Sequence, residues 1–168
     1  MSLLENQTVA VLGGTGPQGR GLARRFAAAG LPVVIGSRSA ERAAATAEEL
    51  AAATGGPVTG AANLEAAAQG DLVVVAVPWD GHKELLVELA PALEGKIVVD
   101  CVNPMGFDKS GAYALEVEEG SAAQQAEAVL PDSRVVAAFH HVSAVLLEDP
   151  EVEEMDTCLL YTSDAADE

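Results

Sequence analysis

Short runs of β-branched and aliphatic residues alternate with Ala-rich stretches along most of the chain, and this alternation restricts the fold more than any other feature. Thr8–Leu12 (TVAVL), Val33–Ile35, Leu72–Val77 (LVVVAV), Ile97–Asp100 and Val135–Phe139 are strand-like, with a weaker candidate at Val58–Thr59. LVVVAV is apolar on both faces, as a central parallel strand covered on both sides must be. Between these runs the composition predicts helices over Gln18–Ala29, Ala40–Ala53, Asn63–Ala68 and Gly81–Leu93, and one opening at Ser121. Ser39 and Asn63 are N-cap candidates, because their side-chain oxygens can accept from a first-turn N–H. Ser121 with Gln124 fits a capping box. Alternation of this kind winds into an open parallel sheet with right-handed crossovers, an α/β architecture. A length of 168 residues suits one domain. The stretch around Pro104, Gly106 and Gly111 reads as a loop, and Leu115–Glu119 and Glu148–Glu154 read as exposed acidic segments.

Gly14-Thr15-Gly16-Pro17-Gln18-Gly19 follows the first strand and opens the first helix. In that context G-x-G-x-x-G is a dinucleotide-binding fingerprint. The glycines let the backbone turn and approach a pyrophosphate, whose charge meets the N–H groups of the helix N-terminus. The expected fold is therefore a Rossmann-like doubly wound sheet.

The end of the second strand separates NAD from NADP. An Asp or Glu there would bind the ribose 2′-hydroxyl. This chain offers Gly36-Ser37-Arg38-Ser39 instead, with Arg42 one helical turn beyond Arg38. Guanidinium forks suit a phosphate, because they donate two parallel hydrogen bonds. Thr15 adds a hydroxyl from the Gly loop. The competing reading is a surface Arg beside Glu41. The sequence favours NADP(H).

Charge sharpens this point. Twenty-six acids against nine Lys and Arg give a net charge of −17, which repels nucleic acid and anionic membrane surfaces. Five of the nine cations, Arg20, Arg24, Arg25, Arg38 and Arg42, fall within 23 residues. Arg24 and Arg25 read as a solvated helix face; Arg38 and Arg42 read as an anion site.

The remaining candidates sit where strands end at the carboxyl edge, the ligand side of such sheets. Trp79, the one tryptophan, follows the fourth strand and either walls a nicotinamide or plugs the core. Asn103 precedes Pro104 and either bonds a carboxamide or forms a turn. His140 and His141 end the last strand, as a polar pair at the crevice or as exposed loop residues. His82, Cys101 and this pair lack metal-ligand spacing, so no metal is expected. Cys101 and Cys158 are too few for a disulfide framework. No run approaches the roughly 20 apolar residues of a membrane span, and MSLLENQTVAVLGG lacks a basic n-region, so a cytoplasmic setting is expected.

The stretches VAVLGGTGPQGRGLA, VVIGSRSAERA, LVVVAVPWDGH, GKIVVDCVNPM and VVAAFHHVSA, in that order, resemble the NADPH-dependent coenzyme F420 reductases. The resemblance runs from Thr8 to about Asp156. It implies hydride transfer between nicotinamide C4 of NADP(H) and C5 of the deazaflavin F420. On this basis Thr15–Gln18 hold the pyrophosphate, and Ser37, Arg38 and Arg42 hold the 2′-phosphate. Trp79, Met105, Val142 and Ala144 line the nicotinamide, and His140 faces the deazaflavin. No acid–base residue is needed, because both cofactors carry their own reactivity and the protein stacks the rings and excludes water. Small residues such as Ser143 and Ala144 let flat rings approach the backbone.

The resemblance stops at about Thr157. Members of the family continue into another strand, a helix and a segment that helps bind F420 and form a homodimer. Here the run Cys158–Glu168 (CLLYTSDAADE) is instead similar to translated read-through of a sequencing adapter. The expectation is an NADP-binding domain over 1–157, truncated before its last strand and helices, and a non-native tail over 158–168. Without Asp164, Asp167 and Glu168 the net charge of −17 becomes −14. Two other functions stay open: a related NADPH-dependent reductase of a flavin, metal, imine or ketone, and a non-catalytic NADP-binding module.

Overall fold

The computed structural model describes residues 7–155. The strands β1 (Val9–Leu12), β2 (Val33–Ser37), β3 (Val58–Ala62), β4 (Leu72–Val75) and β5 (Ile97–Asp100) alternate with helices α1 (Pro17–Ala28), α2 (Ala40–Thr54), α3 (Asn63–Gln69) and α4 (His82–Leu93). A hairpin of β6 (Met105–Asp108) and β7 (Gly111–Ala114) follows, then α5 (Ala122–Val129), β8 (Arg134–Ala137) and α6 (Ala144–Glu148). The main sheet has the order β3-β2-β1-β4-β5-β8. All of its pairings are parallel. Strand order reverses between β1 and β4, which opens the ligand crevice of a doubly wound sheet at their carboxyl ends.

The two-residue period of the strands divides the core. Val9, Val11, Val33 and Ile35 point to one face, packed by Leu22, Ala23 and Ala27 of α1, Ala43, Ala47 and Leu50 of α2, and Leu147 of α6. Ala10, Leu12, Val34, Val73 and Val75 point to the other, packed by Ala66 and Ala67 of α3, Leu86, Leu89 and Leu93 of α4, and Ala122 and Ala126 of α5. Small Ala side chains on the helices let them approach the sheet closely. Apolar burial on both faces, worth about 25 cal/mol per Å², is what holds such a sheet between its helices.

Two of the expected caps form: Ser39 Oγ accepts from Arg42 N at 3.3 Å and Ser121 Oγ from Gln124 N at 3.2 Å. Asn63 does not cap α3. Ala62 takes the N-cap position, because β3 runs on to Ala62 in register with Ser37 and helical geometry begins at Asn63 itself. The expected loop after β5 contains the β6–β7 hairpin, and α6 was not expected. β8 stops at Ala137, short of Phe139, whose backbone turns into the left-handed region at φ 63°. That conformation costs a non-glycine residue about 1–3 kcal/mol. It is held by Gln18 Nε2 donating to the Phe139 carbonyl at 3.1 Å and by an edge-to-face contact with Phe26.

Arg25 is not a solvated residue. Its guanidinium donates to the carbonyls of Leu146, Leu147, Asp149 and Val152 at 2.6–2.9 Å, tying α1 to α6 and the segment beyond. Gly21 lets α6 approach, since a Cβ there would lie 2.6 Å from Leu147 Cβ. The run 158–168 lies outside the described residues.

Candidate NADP and hydride-transfer site

The Gly loop is built on contacts that exclude side chains. Gly13, one residue before the fingerprint, carries the left-handed turn at φ 71°, and a Cβ there would lie 2.6 Å from the Ala76 carbonyl of the neighbouring strand end. Gly14 N donates to Val11 O at 3.2 Å and to Gly36 O at 3.1 Å, fastening the loop to β2. At Gly19 a Cβ would meet Gly13 O at 2.7 Å, so this glycine seats α1 against the loop. The helix opens on Gly16 with no side-chain cap and with Pro17 in its first turn. Its first-turn N–H groups are thus left for an anion. Gly13 was outside the fingerprint, although the Gly13-Gly14 pair directly after a strand was its signal.

At the end of β2, Ser37 is buried and its hydroxyl accepts from Ser39 N at 3.3 Å. Arg38 and Arg42 are exposed, and among the described residues neither guanidinium forms an ion pair. Glu41, the carboxylate available to neutralise them, bonds the Ser39 hydroxyl at 2.7 Å instead, and that bond lowers its pKa. Arg20, by contrast, is engaged by Glu49 at 2.8 Å and Glu148 at 3.5 Å. A loop that only backbone can approach, an open helix N-terminus and two unpaired cations fit a dinucleotide carrying a 2′-phosphate.

A cleft of about 160 Å³ lies at the carboxyl edge, lined by Gln18, Ala76, Val77, Cys101, Val102, Asn103 and His140. Three candidates meet here: Gln18 from α1, Asn103 after β5 and His140 after β8. Asn103 Nδ2 donates to the His140 carbonyl at 2.7 Å and closes the cleft on that side. Burial pushes the His140 pKa down, with Asp100 opposing and His141 assisting, so its ring is neutral at neutral pH. Burial likewise pushes the Cys101 thiol up to about 12, and it donates to Val75 O at 2.9 Å. A nucleophilic role for Cys101 is thereby removed.

The other nicotinamide candidates, Trp79, Met105, Val142 and Ala144, do not line this cleft. Met105 is exposed at the start of β6, Val142 is half-buried against the α1 face of the core, and Ala144 opens α6 beside Gly21. Trp79 is half-buried against the α4 face and stacks on His82, centroids 5.5 Å apart.

The partner beneath that stack is a functional candidate that sequence reasoning missed. His82 and Asp100 are both fully buried, with Nε2 and Oδ2 2.6 Å apart. His82 Nδ1 faces Gln125 Oε1 at 3.1 Å. Gln125 Nε2 is spent on Glu119 at 3.0 Å, so both imidazole nitrogens face acceptors. Burial disfavours the charged ring, but Asp100, Gln125 and Glu84 together outweigh it and raise the His82 pKa. The one sequence signal was an Asp closing an otherwise apolar strand. Among the described residues no group of His, Cys, Asp and Glu is arranged to hold a metal.

The profile of the family described as NADP oxidoreductase, coenzyme F420-dependent, matches residues 8–104. The chain is 40% identical over 148 residues to the F420-dependent NADP reductase of Methanothermobacter marburgensis, covering 84% of this chain and 66% of that protein. It is 41% identical over 160 residues to that of Methanothermobacter thermautotrophicus, covering 90% of this chain and 68% of that protein. The chain thus spans about two thirds of the length of these relatives. In fold alone it is like the lactate dehydrogenase from Eimeria maxima solved with NADH and oxamate, with a TM-score of 0.61 at 13% identity over 83% of this chain and 45% of that one. Fingerprint, sheet order and sequence agree: the chain belongs to the coenzyme F420-dependent NADP oxidoreductase family.

Proposed function

We propose that the chain carries the NADP-binding part of an oxidoreductase that passes a hydride between NADP(H) and coenzyme F420. The observation that carries the NADP half is the pair of exposed guanidiniums, Arg38 and Arg42, without an ion pair among the described residues, beside the buried Ser37 in a protein of net charge −17. A carboxylate there would repel a 2′-phosphate; these groups attract it. Thr15–Gln18 take the pyrophosphate, and the cleft between Gln18, Asn103 and His140 takes the nicotinamide. The nicotinamide and the deazaflavin supply the redox chemistry when both are bound. The chain's contribution is to bind, to hold the rings face to face and to exclude water. A neutral His140 suits that surface, since it adds no charge beside the transferring hydride.

The F420 half rests on kinship with the archaeal reductases, and the cytoplasmic setting and the homodimer of the longer form are proposed on the same ground. Among the described residues no helix is long and apolar enough to cross a membrane. Mixing the chain with NADPH and oxidised F420, and in parallel with FMN, tests the reading by following the cofactor spectra. Bleaching of F420 with FMN unaffected supports it. Reduction of FMN alone refutes it and points to a flavin-linked reductase.

A further inference from the structure

Buried ion pairs demand a reason. Removing two charges from water costs several kcal/mol each, and apolar residues of similar volume often serve stability as well or better. His82 also sits in the first turn of α4, where the helix dipole disfavours a cation. Stability alone does not account for placing a pair here in a core otherwise built of Ala, Val and Leu.

What the pair touches suggests its role. Asp100 Oδ2 meets His82, while Oδ1 accepts from Val102 N at 3.0 Å. Val102 lines the cleft, next to Asn103. On its other side the His82 ring lies under Trp79 at 27° between planes, and His82 N donates to the Trp79 carbonyl at 3.0 Å. Trp79 follows Val77, another cleft residue, by two positions. One charged pair therefore grips two walls of the crevice, from β4 and from β5. From His82 the network runs through Gln125 and Glu119 to Lys83 at the surface.

We propose that the His82–Asp100 pair is a positioning device, with the charged imidazole fixing Trp79 and the Val102–Asn103 turn at the nicotinamide end of the crevice. The inference rests on the cleft being the nicotinamide pocket, and its ring–indole coupling is testable apart from that reading. The groups acting on His82 are Asp100 on β5, Gln125 on α5, whose amide is held by Glu119, and Glu84 on α4 itself. All of them favour the charged ring. Loss of the proton thus comes above pH 6.5, the ordinary value, and releases the indole.

Because Trp79 is the single tryptophan, its emission reports this contact directly, without nucleotide. Titrating the chain from pH 6 to 9 should show one emission step above pH 6.5. His82→Gln should abolish the step, and His140→Asn should leave it in place. A step that survives His82→Gln, or no step in the parent chain, overturns the coupling. The second arm compares NADPH with 2′,5′-ADP, which lacks the nicotinamide. The double variant His82→Gln/Asp100→Asn, which keeps hydrogen-bonding groups at both positions while removing both charges, should weaken NADPH about tenfold and leave 2′,5′-ADP within twofold. Equal losses for both ligands, or no loss for either, overturn the positioning role. Should the parent chain bind neither, the proposed nucleotide site fails, and the emission arm still decides the pair.

Discussion

Arg25→Ala removes the clamp between the first helix and the far end of the described chain. The guanidinium makes four charged hydrogen bonds, three of them part-buried, to carbonyls 121 to 127 residues away. Charged hydrogen bonds contribute roughly 1.5–3 kcal/mol each when counted singly. They share one side chain here, and water can reach the freed carbonyls, so the loss falls well below their sum, at about 2–4 kcal/mol. For a chain of this size each kcal/mol lowers Tm by about 2–4 °C, which gives a drop of roughly 5–15 °C. Arg25→Lys should recover less than half of it, because an ammonium cannot reach four acceptors in a planar fork. The assay is a thermal melt by circular dichroism, with limited proteolysis to locate the opened segment. Cleavage should appear first around 146–155. A Tm within about 2 °C of the parent, with that segment still protected, would show that the four bonds are not holding α6.

Other expectations follow from the same geometry. Gly19→Ala places a Cβ 2.7 Å from Gly13 O, so it should cost about 1–3 kcal/mol in a urea melt and weaken NADPH and NADH together. The pH profile of the urea midpoint should fall on both sides of neutrality. The His82 pKa is raised, so its contribution is complete below 6.5 and fades as pH rises through the folded value. Glu119 is lowered to about 2 by bonds from Lys83 and Gln125, so its contribution is present above 4.5 and fades as pH falls toward 2. A midpoint flat from pH 2 to 9 would contradict both. Cys101, at about 12, should resist iodoacetamide at pH 8 in the folded chain and react in urea, as read by peptide mass.

Features encoded in neighbouring residues were readable before the fold was known. Val73–Val75 announces a strand by β-branching, Ser39 a helix start by its hydroxyl, and Gly14–Gly19 a phosphate loop by its spacing. The absence of a carboxylate after β2 needed only the strand end to be located. Features made by residues distant in sequence were not readable. Arg25 looks like any helix-surface cation until the fold brings Leu146–Val152 over it. His82 and Asp100 lie 18 residues apart and meet only because β5 runs parallel to β4 after the α4 crossover. Asn63 stands one residue inside the helix it was expected to cap, and β3 runs three residues past its sequence signal, Val58–Thr59, to Ala62. The β6–β7 hairpin was hidden because its residues are mostly exposed and carry little hydrophobic alternation.

The central claim, an NADP site built from the Gly loop and the Arg38–Arg42 pair, is tested most directly by calorimetric titration of the 168-residue chain with NADPH and with NADH. NADPH should bind at least about a hundredfold more tightly, and Arg38→Asp should erase most of that preference while changing NADH little. Equal binding of the two nucleotides by the parent chain, or equal losses in the variant, would contradict the 2′-phosphate site.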